Sequence, residues 1–318
     1  VNILEINDLS VSYHSMSAQL NVVNQVSFAI DQGTTLGIVG ESGSGKSQLA
    51  MAIMGLLTSD ASISGKVIFE GQSLLDMNLV QRRQINGNRI AMVFQDPMSA
   101  LNPYLSIAIQ MTEVLTTHQQ INYKQALEQS IGLLTECGIE NARRRITGYP
   151  HEFSGGMRQR ILIATALLCK PVLLIADEPT TALDVSMQAQ ILDLLKQLQN
   201  RHSMTMMLIS HDFGVVAALC DNVLVMYSGQ VMEYGRVTEV LNRPLHPYTQ
   251  GLLASMPTLK KTRGQLYNMP GDPPDPTSLP AGCPFEPRCE QRIAQCKTVK
   301  AEPVSIEDRQ IVCHLGFQ

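Results

Sequence analysis

The chain has 318 residues, with 28 Asp and Glu against 24 Lys and Arg, a net charge of −4 and a pI near 6.0. That balance argues against a nucleic-acid partner held by phosphate contacts, and the length allows a full α/β core with a smaller second unit. No stretch approaches the roughly 18 uninterrupted apolar residues of a membrane span and no signal-peptide pattern opens the chain, so a soluble, cytosolic protein that meets a membrane only through a partner is predicted.

The chain opens on Val1, which leaves room for an initiator or short leader ahead of it. Leu4 to Tyr13 and Val22 to Ile30 roughly alternate apolar and polar residues, the period of half-buried strands. Thr35-Leu36-Gly37-Ile38-Val39 reads as a short buried strand, and Gln48 to Leu57 as a helix with few polar positions. Lys66 to Phe69 with Gly71 indicates a strand and turn; Ile90 to Phe94 is a buried strand ending at Gln95-Asp96-Pro97. From Leu105 to Ile146 the texture turns helical, with helices predicted over Ala108–His118 and Lys124–Cys137, the second stopped by Gly138. This block sits between strand-bearing regions and predicts a helical subdomain inserted at about 96–153.

Ser154-Gly155-Gly156 opens a further helix to Cys169, closed by Pro171. Strands over Val172–Ala176 and Met204–Ser210, helices over Val185–Leu198 and Phe213–Leu219, and a hairpin turning at Ser228-Gly229 follow. Strands alternating with helices predict an α/β fold whose mainly parallel sheet is covered on both faces, with antiparallel strands at the N-terminus. Beyond Gly235 the composition shifts: prolines at 270, 273, 274, 276, 280, 284 and 287 predict an irregular stretch that is neither helix nor central strand. The expected domains are therefore 1–235 and an extension over 236–318. No internal repeat is visible.

Gly40-Glu41-Ser42-Gly43-Ser44-Gly45-Lys46-Ser47 fits G-x-x-x-x-G-K-[ST] between a strand and a helix. Glycines let backbone N–H groups turn inward around phosphates, and the helix N-terminus adds partial positive charge. Lys46 then reaches the β- and γ-phosphates and the Ser47 hydroxyl ligates Mg²⁺, with Gln48 next along the helix. The alternative is an accidental glycine-rich turn, which average residue frequencies produce in roughly 1% of chains this long. The flanking strand and helix make the accident rarer still, so this reads as a nucleoside triphosphate site.

An apolar strand ending in Asp177-Glu178 supplies the other half of such a site. The first carboxylate can hold Mg²⁺, and Glu178 can polarise the attacking water as general base; without the glycine loop the pair would read as a helix cap. His211 follows another apolar strand and is read either as a structural residue or as a group reaching the γ-phosphate. Gln95, at the end of its strand, is either a turn residue before Pro97 or an amide for Mg²⁺ or the water. Ser154-Gly155-Gly156 is a second glycine cradle, which either caps its own helix or grips a nucleotide held by another subunit.

The order of these motifs resembles that of the ATP-binding subunits of ABC transporters. Gly40–Ser47 matches the Walker A motif, Gln95 the Q-loop, Phe153-Ser154-Gly155-Gly156-Met157 the signature, and Leu173–Glu178 the Walker B motif. Thr181-Ala182-Leu183-Asp184 matches the D-loop and His211 the switch histidine. Tyr13, otherwise a strand-end core tyrosine, matches the aromatic that stacks on adenine. Gln95-Asp96-Pro97-Met98, Leu101-Asn102-Pro103, Tyr149–Arg160, His246-Pro247-Tyr248, Pro270-Gly271 and Cys283-Pro284-Phe285 make the chain similar to the oligopeptide/dipeptide importer branch, and within it to the D-type ATPases.

The resemblance implies a subunit that binds and hydrolyses ATP and pairs head-to-tail with a second ABC ATPase subunit. It further implies two transmembrane permease subunits driven by that pair, an external peptide-binding protein, and a peripheral place on the cytoplasmic side of the inner membrane. Three positions depart from the commonest pattern. Phe153 and Met157 stand where Leu and Gln are usual, and Thr181 replaces Ser but keeps its hydroxyl. Met157 makes no amide hydrogen bonds.

Of seven cysteines, Cys137, Cys169 and Cys220 lie singly in apolar contexts and read as small buried hydrophobes. The others form Cys283-x₅-Cys289-x₆-Cys296-x₁₆-Cys313 in the core-poor extension. Cytosolic disulfides are rare, which leaves metal, but these spacings lack the zinc knuckle and the ferredoxin runs, so the residues leave the metal undecided. Members of the resembled branch carry a [4Fe–4S] cluster on cysteines placed like these, so the resemblance implies that cluster; a reduced, metal-free tail is the alternative. Two other readings of the whole chain stand beside the peptide importer. A soluble ABC ATPase acting on nucleic acid or the ribosome is disfavoured by the single cassette, the modest insert and the acidic balance. A transporter ATPase of the same branch for nickel or antimicrobial peptides differs only in the substrate, which other subunits read.

Overall fold

The two N-terminal strands show how local chemistry shapes this fold. In the computed structural model, which describes residues 1–14, 19–181, 183–256 and 269–315, Asn2–His14 buries Leu4 and Ile6, then Leu9 and Val11. The inward phase slips by one residue between Ile6 and Leu9, a slip that would turn the strand's apolar face outward unless a bulge absorbed it. Asp8 supplies the bulge at φ 49°, and its N–H donates to Ser27 Oγ (2.8 Å). Gln19–Asp31 does the same at Gln25 (φ 52°), whose N–H donates to Ser10 Oγ (2.9 Å). The two strands are neighbours in a sheet of order Gln19–Asp31, Asn2–His14, Ala61–Phe69, Gln72–Ser73, with Asn2–His14 and Ala61–Phe69 antiparallel.

The chain divides into two compact units. One comprises Asn2–Ile30, Thr35–Leu75 and Ser210–Gln318, and so holds the N-terminal sheet, the phosphate loop and the C-terminal extension. Its second set of strands runs Thr35–Val39, Asn222–Tyr227, Gln230–Arg236, Arg309–Val312, Pro303–Ile306. The first pair is parallel and the remaining pairs are antiparallel. The other unit comprises Val1, Asp31–Thr34 and Asp76–Ile209. There Ile90–Val93, Leu173–Asp177 and Thr205–Ser210 pair in parallel. Strands buried on both faces read as continuous apolar runs, as these do.

The expected helical block is present in that second unit as Ile107–Gln119, Tyr123–Glu136 and Ala142–Arg145, followed by Gly155–Leu167 and Val185–His202. Asn122 starts the second helix with a capping box, its side chain accepting from Gln125 N–H while Gln125 returns the bond. The helices bury Ile107, Met111, Leu115, Leu134 and Ile161 in one apolar cluster. Cys137 belongs to the same cluster, and burial pushes its thiol up to about 12, the behaviour of an inert core cysteine. Among the described residues no helix is long and apolar enough to cross a membrane.

Two expectations need correction. The sheet is mixed rather than mainly parallel, because the hairpin after the phosphate-loop strand's partner and two strands of the extension all pair antiparallel. The extension as a whole is also not irregular: outside the proline stretch, helices occupy Val237–Asn242 and Pro247–Ser255, and strands Pro303–Ile306 and Arg309–Val312. Pro303 opens the edge strand, a place where a missing N–H costs no ladder bond. The Leu79–Ile85 helix was also not legible in advance. From Met269 to Ala301 the backbone is irregular apart from two short helical turns, as expected.

A buried ion pair docks the extension. Glu233, fully buried on Gln230–Arg236, accepts from the N–H groups of Leu245 (3.0 Å) and His246 (2.9 Å) and pairs with Arg309. One carboxylate thus ties a strand, the entry to the Pro247–Ser255 helix and a strand of the extension. Removing one partner strands the other charge in the interior, which costs about 3–5 kcal/mol. Arg309→Met is therefore expected to destabilise the chain by that amount in denaturant unfolding and to open residues beyond 300 to proteases. Glu233→Gln added to Arg309→Met should recover most of the loss, since an amide oxygen still accepts the two backbone N–H groups.

Candidate functional site

The phosphate loop lies where three backbones meet. Thr35–Val39 is buried throughout and delivers the chain to Gly40; Gly45 caps the Lys46–Met54 helix in the left-handed region at φ 95°. A Cβ on Gly40 would lie 2.1 Å from the Met226 carbonyl oxygen, and one on Gly45 would lie 2.3 Å from that of Val22. Both atoms are backbone, so neither can give way. Gly229 N–H donates to the Ser44 carbonyl (3.0 Å) while Asn24 N–H donates to the Gly229 carbonyl (2.8 Å), pinning the loop between hairpin and N-terminal strand. The glycines therefore answer two demands, inward-turned N–H groups and close backbone approach, of which the motif announces only the first.

Lys46 is buried and its ammonium donates to the carbonyls of Gly40 (2.8 Å) and Glu41 (2.9 Å) and to Ser44 Oγ (3.3 Å). The charge is thus held over the concave side of its own loop. Ser44 is buried, Ser47 and Gln48 are half-buried, and Ser42 and Gly43 are exposed at the rim. Tyr13 closes on the same helix, its hydroxyl donating to Gln48 Oε1 (2.6 Å). His211 is exposed in the turn before Phe213–Leu219, whose cap is Asp212, accepting from Gly214 N–H (2.7 Å).

In the other unit, parallel pairing of Ile90–Val93 with Leu173–Asp177 brings both C-terminal ends to one edge. Asp177 is buried there, and Glu178 turns at φ 44° with its N–H on the Ile209 carbonyl (3.0 Å). That turn aims the Glu178 carboxylate at the end of the neighbouring strand, where Gln95 Nε2 donates to its Oε2 (3.0 Å). Thr181 Oγ1 donates to the same oxygen (2.7 Å). The motif order marks Thr181 only as a D-loop position with a hydroxyl; its tie to the acid is signalled by the spacing of three residues, which returns across a turn. A carboxylate held by two donors is oriented as a base needs to be.

Ser154 caps the Gly155–Leu167 helix, its Oγ accepting from Met157 N–H (3.4 Å), and Asp184 caps Val185–His202, accepting from Met187 N–H (2.9 Å). Both side chains thus have a local task. Ser154 and Gly155 are exposed, whereas Gly156 is buried against Met187. Phe153 is buried in the helical core and Met157 packs at its margin, so both departures from the commonest signature serve packing.

Cys283, Cys289, Cys296 and Cys313, scattered along the extension, line one pocket. His246 lines it too, fully buried, with its acidity shifted to about 3 by desolvation, so the ring is neutral. Its Nδ1 accepts from Tyr248 N–H (3.0 Å), which puts the proton on Nε2, and the Val312 backbone favours that proton. Burial pushes the Cys283 thiol up to about 12, with its three companions adding to the shift. Among the described residues no three His, Cys, Asp or Glu side chains are grouped to hold a metal ion. The expected metal-binding character of the extension is thus not supported by the arrangement of these side chains.

Comparison with known proteins bears on this arrangement. A family profile described as ABC transporter matches residues 23–181, and one described as the C-terminal region of oligopeptide/dipeptide transporters matches residues 232–296. The chain is 48% identical to the oligopeptide transport ATP-binding protein OppD of Salmonella typhimurium, over 92% of this chain and 88% of that protein. It is 45% identical to the dipeptide transport ATP-binding protein DppD of Bacillus subtilis, over 99% and 95% respectively. Among solved structures, a dimeric ATP-binding cassette with ADP and phosphate matches with a TM-score of 0.67 at 24% identity, covering 74% of this chain and 98% of that one. The cbiO1 protein of Clostridium perfringens, part of an ABC transporter complex, matches with a TM-score of 0.64 at 28% identity, over 76% and 91%.

The Glu178 environment yields a graded expectation. Glu178→Gln keeps the shape but accepts no proton, and should lower single-turnover ATP hydrolysis about 10²–10⁴-fold with binding retained. Thr181→Ala removes one donor only and should cost about tenfold. Equal losses in the two variants, or lost ATP binding in either, would mark the cluster as structural.

Proposed function

The chain belongs to the ABC transporter family of ATP-binding proteins, in its oligopeptide/dipeptide branch, and on that premise we propose that it is the ATP-hydrolysing subunit that powers peptide import through a membrane transporter. The observation that carries this reading is that the match runs through the extension as well as the cassette, and reaches named peptide-transport relatives over most of their own length.

ATP would sit on Gly40–Ser47 with Gln48, its γ-phosphate facing Lys46 and its adenine on Tyr13. Ser47, Gln95 and Asp177 carry the oxygen donors that Mg²⁺ prefers and would hold it, and the metal would neutralise phosphate charge. Glu178 would draw a proton from the attacking water, and His211 would contact the γ-phosphate end. Ser154, Gly155 and Gly156, with Asp184, would face a nucleotide held by a second ABC ATPase subunit arranged head-to-tail. The exposure of Ser154 and Gly155 supports that role. Two permease subunits and an external peptide-binding protein complete the assembly, which would hold this chain peripherally at the cytoplasmic side of the inner membrane. Functionally, residues 1–235 would act as the nucleotide-binding domain, with the helical insert at about 96–153, and 236–318 as the extension.

The test is peptide uptake by the assembled transporter. Lys46→Ala should abolish it, because uncompensated charge would build on the γ-phosphate in the transition state. Ser154→Arg should impair hydrolysis at the partner's phosphate loop while this chain still binds ATP. Full hydrolysis by the dilute chain alone, unchanged with concentration, would refute a site shared between two chains.

The extension would carry a [4Fe–4S] cluster on Cys283, Cys289, Cys296 and Cys313. The gathering of all four in one pocket supports this. A cluster takes each thiolate on a different iron and so spreads them more widely than one ion does. When bound it would cross-link a segment with little apolar core. Anaerobically purified protein should hold about four irons and four labile sulfides per chain. Serine at any one cysteine should bleach it and loosen the extension to proteases, with ATP binding retained. Stoichiometric zinc, or four freely alkylated thiols without metal, would reject the cluster.

A further inference from the structure

Glu41 is the second residue of the phosphate loop, and the extension grips it from two sides. Its N–H donates to the Tyr248 hydroxyl (2.9 Å), and its carboxylate accepts from Arg288 Nη1 (2.8 Å). Its carbonyl meanwhile accepts from Lys46 Nζ and from Ser44 N–H (3.2 Å). Every polar group of this residue is thus committed, two to the extension and one to the loop itself. A carboxylate at the mouth of an anion cradle would repel phosphate if it swung inward; here it is drawn aside and neutralised.

Arg288 is placed by packing. It is 6% exposed, its Nε donates to the Pro270 carbonyl (3.0 Å), its Nη1 also reaches the Tyr227 hydroxyl (3.3 Å), and its guanidinium lies 5.8 Å from that ring. Burial opposes its charge, and the bonds to Glu41 and Tyr227 more than offset this. Phe285, three residues earlier, packs edge-on against Tyr227 (5.4 Å between centroids) and against Tyr248 (5.3 Å). Phe285 and Cys289, on either side of Arg288, both line the four-cysteine pocket. His246, in the same pocket, caps the helix that carries Tyr248. The pocket and the phosphate loop are joined by a continuous set of packed rings and charge-assisted bonds.

We propose that Arg288 and Tyr248 are positioning residues through which the four-cysteine extension sets the affinity of the phosphate loop for ATP, so that ATP binding and order in the extension support each other. The proposal rests on reading Gly40–Ser47 as the ATP site. Thermodynamic linkage makes it testable from both ends: if the ordered extension favours ATP, ATP must order the extension by the same factor.

The experiment measures equilibrium binding of Mg-ATP to the full-length chain and, in parallel, amide hydrogen exchange across residues 283–296. Arg288→Ala should raise the ATP Kd about tenfold and Arg288→Lys should recover part of it. Tyr248→Phe, which keeps the ring packing and removes only the hydroxyl, should raise it about threefold and serves if Arg288→Ala loses the folded extension. In a Glu41→Gln background, Arg288→Ala should add less than about twofold, because the partner charge is already gone. ATP should slow exchange across 283–296 in the native chain and fail to do so in Arg288→Ala. ATP affinity unchanged in folded Arg288→Ala and Tyr248→Phe overturns the proposal, as does exchange across 283–296 that is indifferent to ATP in the native chain. A native chain that binds no ATP would instead overturn the reading of the loop, and the proposal with it.

Discussion

The phosphate loop depends on a convergence of backbones that leaves no room for side chains. The Met226 and Val22 carbonyls stand where β-carbons would project from Gly40 and Gly45, and Gly229 reaches Ser44 from the hairpin turn. Segments nearly the whole cassette apart in sequence, the second strand and the Asn222–Arg236 hairpin, must both be in place before the loop has its shape. The N-terminal sheet and the hairpin are therefore part of the site's construction. Close packing transmits such constraints because no slack exists between backbone and backbone.

The other unit places its chemistry by strand register. Parallel pairing aligns Val93 with Ala176, so Gln95 and Glu178 leave their strands side by side. The left-handed turn at Glu178 then swings its carboxylate to the Gln95 amide and the Thr181 hydroxyl. A strained conformation at a single residue is tolerable where surrounding bonds hold it, and such residues gather at functional sites. The helix-capping work of Ser154 and Asp184 has a similar economy. A capped helix end is rigid, and a rigid end can present its exposed edge to another chain.

The extension solves a different problem. From Pro270 onward it has few large apolar residues, and ordering that stretch must overcome conformational entropy with little core of its own. It does so by borrowing. Phe285 packs against the touching rings of Tyr227 and Tyr248, Arg309 pairs with the buried Glu233, and Arg288 pairs with Glu41 of the phosphate loop. Sequence reasoning reached for a cross-link among the four cysteines alone, and these polar ties share that burden. They also explain why the extension and the phosphate loop fall in one compact unit despite their separation in sequence.

What the sequence determined by itself was whatever depends on local pattern. The glycine loop before a helix, the apolar runs before Gln95, Asp177 and His211, and the helical period of 108–137 each require only neighbouring residues to be read. Their order was enough for the family. What tertiary structure decided was whatever depends on two distant segments meeting. Arg288 is one charged residue in a proline-rich stretch, and nothing nearby in sequence marks Glu41 as its partner. Glu233 and Arg309 read as ordinary surface charges until the strands that carry them pair. The mixed character of the sheet was hidden for the same reason: Arg309–Val312 has only four residues, too few to show a period, and becomes a strand because Gln230–Arg236 offers it an edge. Periodicity reports which face of an element is apolar, whereas a salt bridge or an edge pairing is a property of the meeting itself.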